Sequence, residues 1–343
     1  MKTNRYQIRF WNLSVALILT GGASAATWAQ EGSKSIKSEE YLAKRPTEAP
    51  AGGVAGPSAT STTTKRPPAG NSERSGRDRS GASPKKPSAG SFAYTVDKSF
   101  PEGPAPRNYE YVRLGVTIWR LSPSQCQIQN CPVPNSAANA SRGLVDTATR
   151  IEDNTPLNNG ERVRIGLESL SRNGYIYIID REKFADGSLG EGFLIFPTTK
   201  INSGNNWAVP GLQIHLPRSD GCFCVKSRNT QKVLVADVLT VIVSPTPLLP
   251  TRDIGVDAIP LPVGLAGFLD RAEKEKTFRA MLRGGGGLAQ SAEEQSAGSK
   301  GLFDTAPVLT QNDLPPQTFY QSLVPVGKAA VFSFSLRYGA GGQ

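Results

Sequence analysis

From about residue 107 onward, hydrophobic and polar residues alternate in short runs that end at Gly, Pro or Asn. In YVRLGVTIWRL (111–121), for example, Leu114, Val116 and Ile118 fall on one face of an extended chain. Alternation with a period of two is typical of a β-strand, because successive side chains of a strand point to opposite faces. The pattern predicts strands at 111–121, 162–169, 174–180, 192–198, 212–217, 222–227, 233–244 and 329–339.

One segment before the last strand has a helical period instead. In residues 265–283 the apolar positions recur at three- and four-residue spacing, and Gly284–Gly287 follow, so we predict one helix that ends at these glycines. The stretch of about 250–316 is predicted to be a loop-rich insertion. A strand series without interleaved helices indicates a mainly β fold, an antiparallel β-sandwich of about eight strands with one helix in the C-terminal half.

The first 30 residues have the pattern of a cleavable secretory signal peptide. A basic start precedes a short apolar run, Leu13–Leu19, and small residues follow, with candidate cleavage points after Ala25 or Ala29. The apolar run is shorter than the roughly 20 residues that span a bilayer. We therefore expect an exported protein without a transmembrane span after signal cleavage.

Residues 31–92 are rich in Ser, Thr, Gly, Pro, Ala, Lys and Arg and contain almost no large apolar side chain. Such a composition buries too little apolar surface to offset the entropy lost on ordering. We therefore predict a disordered linker over residues 31–106, followed by a β-sandwich domain over residues 107–343.

The formal net charge of +10 is concentrated before the predicted domain. Residues 1–30 carry three basic and no acidic side chains, residues 31–92 carry 11 and 6, and residues 93–343 carry 25 and 23. The folded part is therefore nearly neutral. This argues against a nucleic-acid partner, because a nucleic-acid-binding domain carries a basic face of its own. The basic segment permits weak attraction to anionic envelope polymers or lipid headgroups.

Four cysteines occur as two closely spaced pairs, Cys126 with Cys131 and Cys222 with Cys224. An even number in an exported chain favours disulfides, and we expect no free thiol. The spacing leaves all three connectivities open, although a bond between Cys222 and Cys224 would be strained, since residues two apart on a strand lie near the upper distance limit. Zinc is the alternative, but C-x4-C with C-x-C is not the usual zinc spacing. We therefore predict no metal and no other cofactor.

The only histidine, His215, lies in LQIHLP on the strand face opposite to Ile214 and Leu216. Mechanisms that pair a Ser or Cys nucleophile with His would need this one residue. A lone histidine in a strand is more often an exposed or satisfied polar residue. No glycine-rich nucleotide-binding loop occurs either. The sequence therefore predicts a protein that is not an enzyme.

Three carboxylates, Asp180, Glu182 and Asp186, follow a predicted strand in IIDREKFADGSLGEG. Paired carboxylates can hydrolyse glycosidic bonds, and acidic loops can hold calcium. Arg181 and Lys183 are interleaved with them, however, and the D-x-D-x-D-G ladder of calcium loops is missing. A solvated turn is favoured, and a carboxylate-based hydrolase is the alternative.

Several aromatic residues could form a flat platform for sugars or peptides, because Tyr and Trp are common in binding patches. Aromatic side chains are equally common in sandwich cores, and the core is the favoured place for Tyr175 and Tyr177. Trp207, in the loop NSGNNWAVPG, is the better platform candidate. The candidate set is Tyr109, Tyr111, Trp119, Tyr175, Tyr177 and Trp207.

The pieces GYIYIIDRE, ADGSLGE and LIFPT, the GNN of 204–206 and the ending LTQNDLPPQTFYQSLVPVGKAAVFSFSLRYGA resemble one bacterial family. It is the domain of unknown function 4384 family, and the resemblance covers roughly residues 109–339. The resemblance implies a β-rich binding or sensing module, here as an exported stand-alone member, and it supplies no catalytic residue. Neither cysteine pair belongs to the matched motifs. The matched residues, together with neighbouring Trp207, form a candidate binding motif of unknown role: Asp180, Arg181, Gly204, Asn205 and Asn206.

Together these features predict an exported, non-enzymatic binding, sensing or structural module of the bacterial cell envelope. It would work in the periplasm, at the cell surface or outside the cell, with a protein or an envelope polymer as its partner. Two alternatives remain open. One is a carboxylate-based hydrolase of envelope polysaccharide, and the other is an assembly partner that oligomerises through its sheet edges.

Overall fold

Two antiparallel sheets are built from the alternating segments, and all eight predicted strands are present in them. The structure is a computed structural model that describes residues 36–37, 39–48, 92–96, 103–126, 131, 147–217, 221–225, 233–297 and 308–339. The predicted signal peptide at residues 1–30 lies outside the described residues, as does most of the predicted linker. Within the described residues, the mainly β fold predicted from the sequence is confirmed.

Sheet 1 has the order β1-β2-β13-β14-β3-β5-β10, with β4 beside β3 and β9 beside β5. Its strands within the described residues are β1 (Ile36–Lys37), β2 (Ala93–Val96), β3 (Tyr109–Leu121), β4 (Thr149–Ile151), β5 (Arg162–Ser169), β9 (Gln213–Leu216), β10 (Phe223–Cys224), β13 (Thr277–Leu282) and β14 (Thr318–Pro325).

Sheet 2 has the order β12-β7-β6-β11-β15, with β8 beside β6. Its strands within the described residues are β6 (Gly174–Phe184), β7 (Leu189–Phe196), β8 (Trp207–Ala208), β11 (Leu234–Ser244), β12 (Ile259–Pro260) and β15 (Ala330–Arg337). Three helices accompany the sheets in the described part of the chain: α1 (Glu39–Leu42), α2 (Val263–Lys274) and α3 (Ala292–Ala297). None of them is long and apolar enough to cross a membrane.

The main apolar core lies between the two sheets. Leu114, Val116 and Ile118 of β3 contribute to it from sheet 1, as their alternation predicts. Ile178 of β6 and Val241 of β11 contribute from sheet 2. Burial of one such side chain stabilises the fold by about 1.5–3 kcal/mol, so the alternation of these strands determines which face of each sheet turns inward.

The predicted helix over residues 265–283 is only partly correct. Helix α2 ends at Lys274, and residues 277–282 form β13, which pairs with both β14 and β2. Phe278, Ala280 and Leu282 are spaced two apart, so they satisfy a strand pattern as well as a helical one. Pairing with two neighbouring strands decides between these readings. The segment predicted as a loop-rich insertion thus contributes an interior strand to sheet 1.

A short helix also lies in the stretch predicted as loop. Helix α3 begins with a capping box, in which the Glu294 backbone N–H donates to Ser291 Oγ (3.1 Å) and the Ser291 backbone N–H donates to the Glu294 carboxylate (3.0 Å). The same Glu294 carboxylate is buried and pairs with the buried guanidinium of Arg150 on β4. This ion pair fastens α3 to the outer face of sheet 1.

The structure departs from the predicted linker in two places. Ala93–Val96 is a strand of sheet 1 that pairs with Ile36–Lys37, and residues 41–48 lie against the outer face of that sheet with Tyr41, Leu42 and Arg45 buried. Composition averaged over 31–106 hides these few anchoring residues among many small polar ones. The intervening residues 49–91 lie outside the described part of the chain.

Candidate functional site

A pocket of about 220 Å³ opens between the two sheets at one end of the sandwich. Its walls are largely apolar, with Val163 and Ile165 from β5, Leu239 from β11 and Leu336 from β15. Three carboxylates, Asp180, Glu182 and Asp237, also line it. A concave, mostly apolar pocket with a few convergent polar groups is the usual form of a ligand site.

The strand register brings these carboxylates together. On β6, Ile176 and Ile178 point into the core, and the next two positions on that face are Asp180 and Glu182. On β11, Asp237 lies directly opposite Glu182. The inward face of sheet 2 therefore changes from apolar to acidic at the pocket, and all three carboxylates are half-buried there.

Asp237 is held by Tyr338, the residue that follows β15. The hydroxyl of Tyr338 donates a hydrogen bond to Asp237 Oδ2, and the Tyr338 backbone N–H donates to the carbonyl of Val235 (2.9 Å). The lining of the pocket contains three acidic side chains and no basic one, and low-dielectric walls strengthen the electrostatic effect of such groups. The arrangement suits a cationic group carried on an apolar stem.

A disulfide borders the pocket. Cys224 lines the wall and is bonded to Cys131, while Cys126 is bonded to Cys222. The prediction that the cysteines form disulfides is confirmed, and the structure selects one of the three open connectivities. All four sulfurs are used in this way, and the described residues contain no group of three or more His, Cys, Asp or Glu side chains placed to hold a metal.

The three carboxylates predicted from the sequence separate in the structure. Asp180 and Glu182 lie in the pocket, whereas Asp186 lies on an exposed turn, where it accepts hydrogen bonds from the backbone N–H (2.8 Å) and the hydroxyl (2.6 Å) of Ser188. Arg181 points to the other face of β6 and contacts Glu273 of α2 at 3.5 Å. The solvated turn predicted for the whole segment is therefore observed for Asp186 and not for Asp180 or Glu182.

The Gly-Asn-Asn segment fastens a loop to β6. Gly204 has φ +82°, a conformation that favours glycine. The Asn205 side-chain oxygen accepts from the Trp207 backbone N–H (2.9 Å), and Asn206 Nδ2 donates to the carbonyl of Ile176 (2.9 Å). Asn206 is buried, so its side chain satisfies a backbone group inside the fold. These residues position the strand that carries Asp180 and do not line the pocket.

The aromatic candidates do not form one platform. Trp119 is fully buried, and Tyr177 is buried with its hydroxyl accepting from the Leu248 backbone N–H (2.8 Å). Trp207 is half-buried and meets Tyr175 edge to face, with ring centroids 4.9 Å apart. Tyr109 is the most exposed of the set. None of these residues lines the pocket between the sheets.

His215 lies on the strand face predicted from its neighbours, but that face is covered. The side chain is buried, and its Nε2 lies 3.0 Å from Gln213 Oε1. Its ring meets that of Trp119 edge to face, with the ring centroids 5.2 Å apart. Burial, with a smaller contribution from the positive charge of Arg164, lowers the pKa of His215 to about 3. The ring is therefore neutral at ordinary pH and packs as part of the structure.

Sequence reasoning missed two pocket residues, Asp237 and Tyr338. Asp237 is the one charged residue in the mostly apolar run VLVADVLTVIVS, two residues before Leu239, which belongs to the core. A carboxylate at an inward position of a core strand was the available signal.

Comparison with family models, with characterised proteins and with solved structures finds no match to this chain.

Proposed function

We propose that this chain is an exported, non-enzymatic binding module of the bacterial cell envelope and that the pocket between its sheets is the ligand site. The observation that carries the proposal is the convergence of Asp180, Glu182 and Asp237 on one apolar cavity. The resemblance to the domain of unknown function 4384 family agrees with a binding role and forms part of the proposal.

Two features support export. The first 30 residues have the pattern of a secretory signal peptide, and both cysteine pairs are consumed in disulfides. Disulfides persist in oxidising compartments such as the periplasm and are rare in reducing ones. Location in the periplasm, at the cell surface or outside the cell is therefore part of the proposal.

The pocket's size and charge define the ligand. A volume of about 220 Å³ is smaller than the roughly 300–1,000 Å³ of typical small-molecule sites. The cavity thus fits the end of one side chain or one small group, not a whole polymer repeat. Its carboxylates favour an amine or guanidinium, and its apolar walls favour an alkyl stem, as in a basic side chain of a wall peptide or a protein partner.

Binding to purified peptidoglycan and pull-downs from envelope extracts test this function. We expect Asp237→Asn and Glu182→Gln to weaken capture about tenfold or more, because each removes a charge-assisted contact. Asp186→Asn is the matched control, since that residue lies on the exposed turn, and it should bind as the unchanged protein does. Competition by 1-hexylamine but not by 1-hexanol would show that the pocket selects a positively charged group on an alkyl stem.

Equal capture by all three variants and the unchanged protein would contradict the site. Failure to bind either preparation, combined with turnover of a panel of hydrolase substrates, would contradict the function. Each variant must retain both disulfides and the thermal transition of the unchanged protein, so that loss of binding is not loss of fold.

A second candidate function is a carboxylate-based hydrolase of envelope polysaccharide. The observation that favours it is that Asp180 and Glu182 share a pocket with a further carboxylate, Asp237. Glycosidases use two carboxyl groups on either side of the cleaved bond. This candidate predicts release of soluble sugars from peptidoglycan that Asp180→Asn and Glu182→Gln both abolish. Binding without release by the unchanged protein would exclude it for that substrate.

A further inference from the structure

A short N-terminal segment is bound to the outer face of sheet 1 as a peptide would be. Residues 39–42 form one turn of helix, and residues 43–48 continue in turns and bends. Among residues 41–48, three side chains are buried: Tyr41, Leu42 and Arg45. The neighbouring Ala43 and Lys44 are exposed. A four-residue helix has no stability of its own in water, so this conformation depends on the surface beneath it.

Arg45 enters a polar socket. Its Nε and Nη2 donate to the two carboxylate oxygens of Glu168 at 2.6 and 2.5 Å. Its Nη1 lies 3.2–3.4 Å from the carbonyl oxygens of Thr310, Asp313 and Leu314. Burial alone would lower the pKa of the Arg45 guanidinium, but the facing Glu168 carboxylate outweighs that effect and raises it. The socket therefore accepts a planar, charged fork and not simply a long side chain.

The socket is built by parts of the chain that are distant from Arg45. The Glu168 carboxylate also accepts from the Gly211 backbone N–H (2.9 Å), which orients it. Asp313 Oδ2 accepts from the backbone N–H (2.7 Å) and hydroxyl (2.9 Å) of Thr310, which holds the turn that supplies the carbonyls. These contacts do not involve residues 39–48, so the socket has its own supports.

Tyr41 forms the second anchor. The centroid of its ring lies 3.7 Å from the ring centroid of Phe319 and 5.5 Å from that of Tyr94, which it meets edge to face. The guanidinium of Arg113 lies over the same ring at 5.6 Å. Aromatic and arginine anchors in desolvated pockets provide most of the affinity in protein recognition surfaces.

The backbone of the segment is also bound, through hydrogen bonds from Gln311. Gln311 Nε2 donates to the carbonyl of Arg45 (2.9 Å), and the Gln311 backbone N–H donates to the carbonyl of Pro46 (3.0 Å). Two side-chain anchors four residues apart, with backbone contacts at one end, are the features by which a groove recognises a short peptide.

We propose that the outer face of sheet 1 is a peptide-recognition groove and that residues 39–48 of the same chain are its tethered ligand. The groove selects a Tyr-Leu-x-x-Arg segment, and a peptide with these anchors can take the place of the tethered one. This surface is separate from the pocket between the sheets, because Glu168 alternates with Leu167 and points to the opposite face of β5. The proposal therefore does not depend on the proposed function.

The experiment uses the full chain with a protease recognition sequence inserted between residues 60 and 61, and a fluorescein-labelled peptide of residues 36–48. After cleavage we expect the N-terminal fragment to co-elute with the rest of the protein in gel filtration. Excess labelled peptide should then replace it. Truncating one partner of a buried ion pair is strongly destabilising, so an Arg45→Ala peptide should bind at least about 100-fold more weakly.

A Lys44→Ala peptide is the matched control, because Lys44 is exposed beside the anchor, and it should exchange as the unchanged peptide does. An Arg45→Lys peptide keeps the charge but loses the fork, so it should bind between the two. Retention of the fragment without exchange would show an integral part of the core and overturn the proposal. Loss of the fragment without rebinding, unfolding after cleavage, or equal binding of the Arg45→Ala peptide would also overturn it.

Discussion

The two disulfides should stabilise this fold in a coupled way. Each bond alone closes a long loop, with sequence separations of 96 and 93 residues. For loops of this length the chain-entropy model gives about 4.7 kcal/mol. Once one bond exists, however, the second closes only the small ring of residues 126–131 and 222–224, roughly nine residues, for which the same model gives about 2.6 kcal/mol.

The perturbation is removal of one bond or both by Cys→Ala pairs. Replacing Cys131 and Cys224 should cost about 2.6 kcal/mol, because the remaining bond still closes the long loop. Replacing Cys126 and Cys222 should cost that much plus a packing loss, since both sulfurs are buried against Trp119. Replacing all four should cost about 7 kcal/mol plus the same packing loss, which is roughly 2 kcal/mol more than the sum of the two pair losses.

Urea unfolding of the four proteins at one pH, followed by fluorescence, measures these differences as changes in the free energy of unfolding. The excess for the four-alanine protein is the coupling energy of a double-mutant cycle. If its loss equals the sum of the two pair losses within about 0.5 kcal/mol, the loop-closure reasoning is wrong. A changed urea dependence in one variant would point to altered compactness of the unfolded chain, and comparison with the reduced wild-type protein would separate that effect.

Three further predictions concern single residues. The pKa of His215 is lowered from 6.5 to about 3 in the folded protein, so below pH 6.5 the unfolded chain binds more protons than the folded one. The free energy of unfolding should therefore fall towards pH 3 by up to about 4–5 kcal/mol more in the unchanged protein than in His215→Gln. Urea unfolding at a series of pH values measures this difference. Gly211→Ala should cost more than about 2 kcal/mol in thermal unfolding, since φ is +90° and the added Cβ would lie 2.4 Å from a backbone oxygen, whereas Gly187→Ala, with φ +83° and open space, should cost about 1 kcal/mol; equal costs would refute the steric argument. Asn206→Ala should cost about 1–3 kcal/mol and speed hydrogen exchange at the start of β6, because a buried carbonyl loses its donor; unchanged exchange there would contradict that role.

The pocket shows where sequence reasoning about a site stops. IIDREKFADGSLGEG drew attention to Asp180 and Glu182 as acidic residues after a strand, yet interleaved Arg181 and Lys183 favoured a solvated turn. In a strand, residues of opposite charge can alternate because they occupy opposite faces. Asp237 follows Glu182 by 55 residues in the sequence, and only the register between β11 and β6 places the two opposite each other.

Eight of the strands were predicted from the sequence itself, because side-chain alternation is a local property that each segment carries alone. The even cysteine count likewise predicted disulfides. Tertiary structure alone decided which cysteines pair, that residues 277–282 pair as a strand, and that Tyr41 and Arg45 dock on a distant sheet. Each of these outcomes depends on long-range contacts, whose free energy arises only when segments far apart in sequence bury surface against one another.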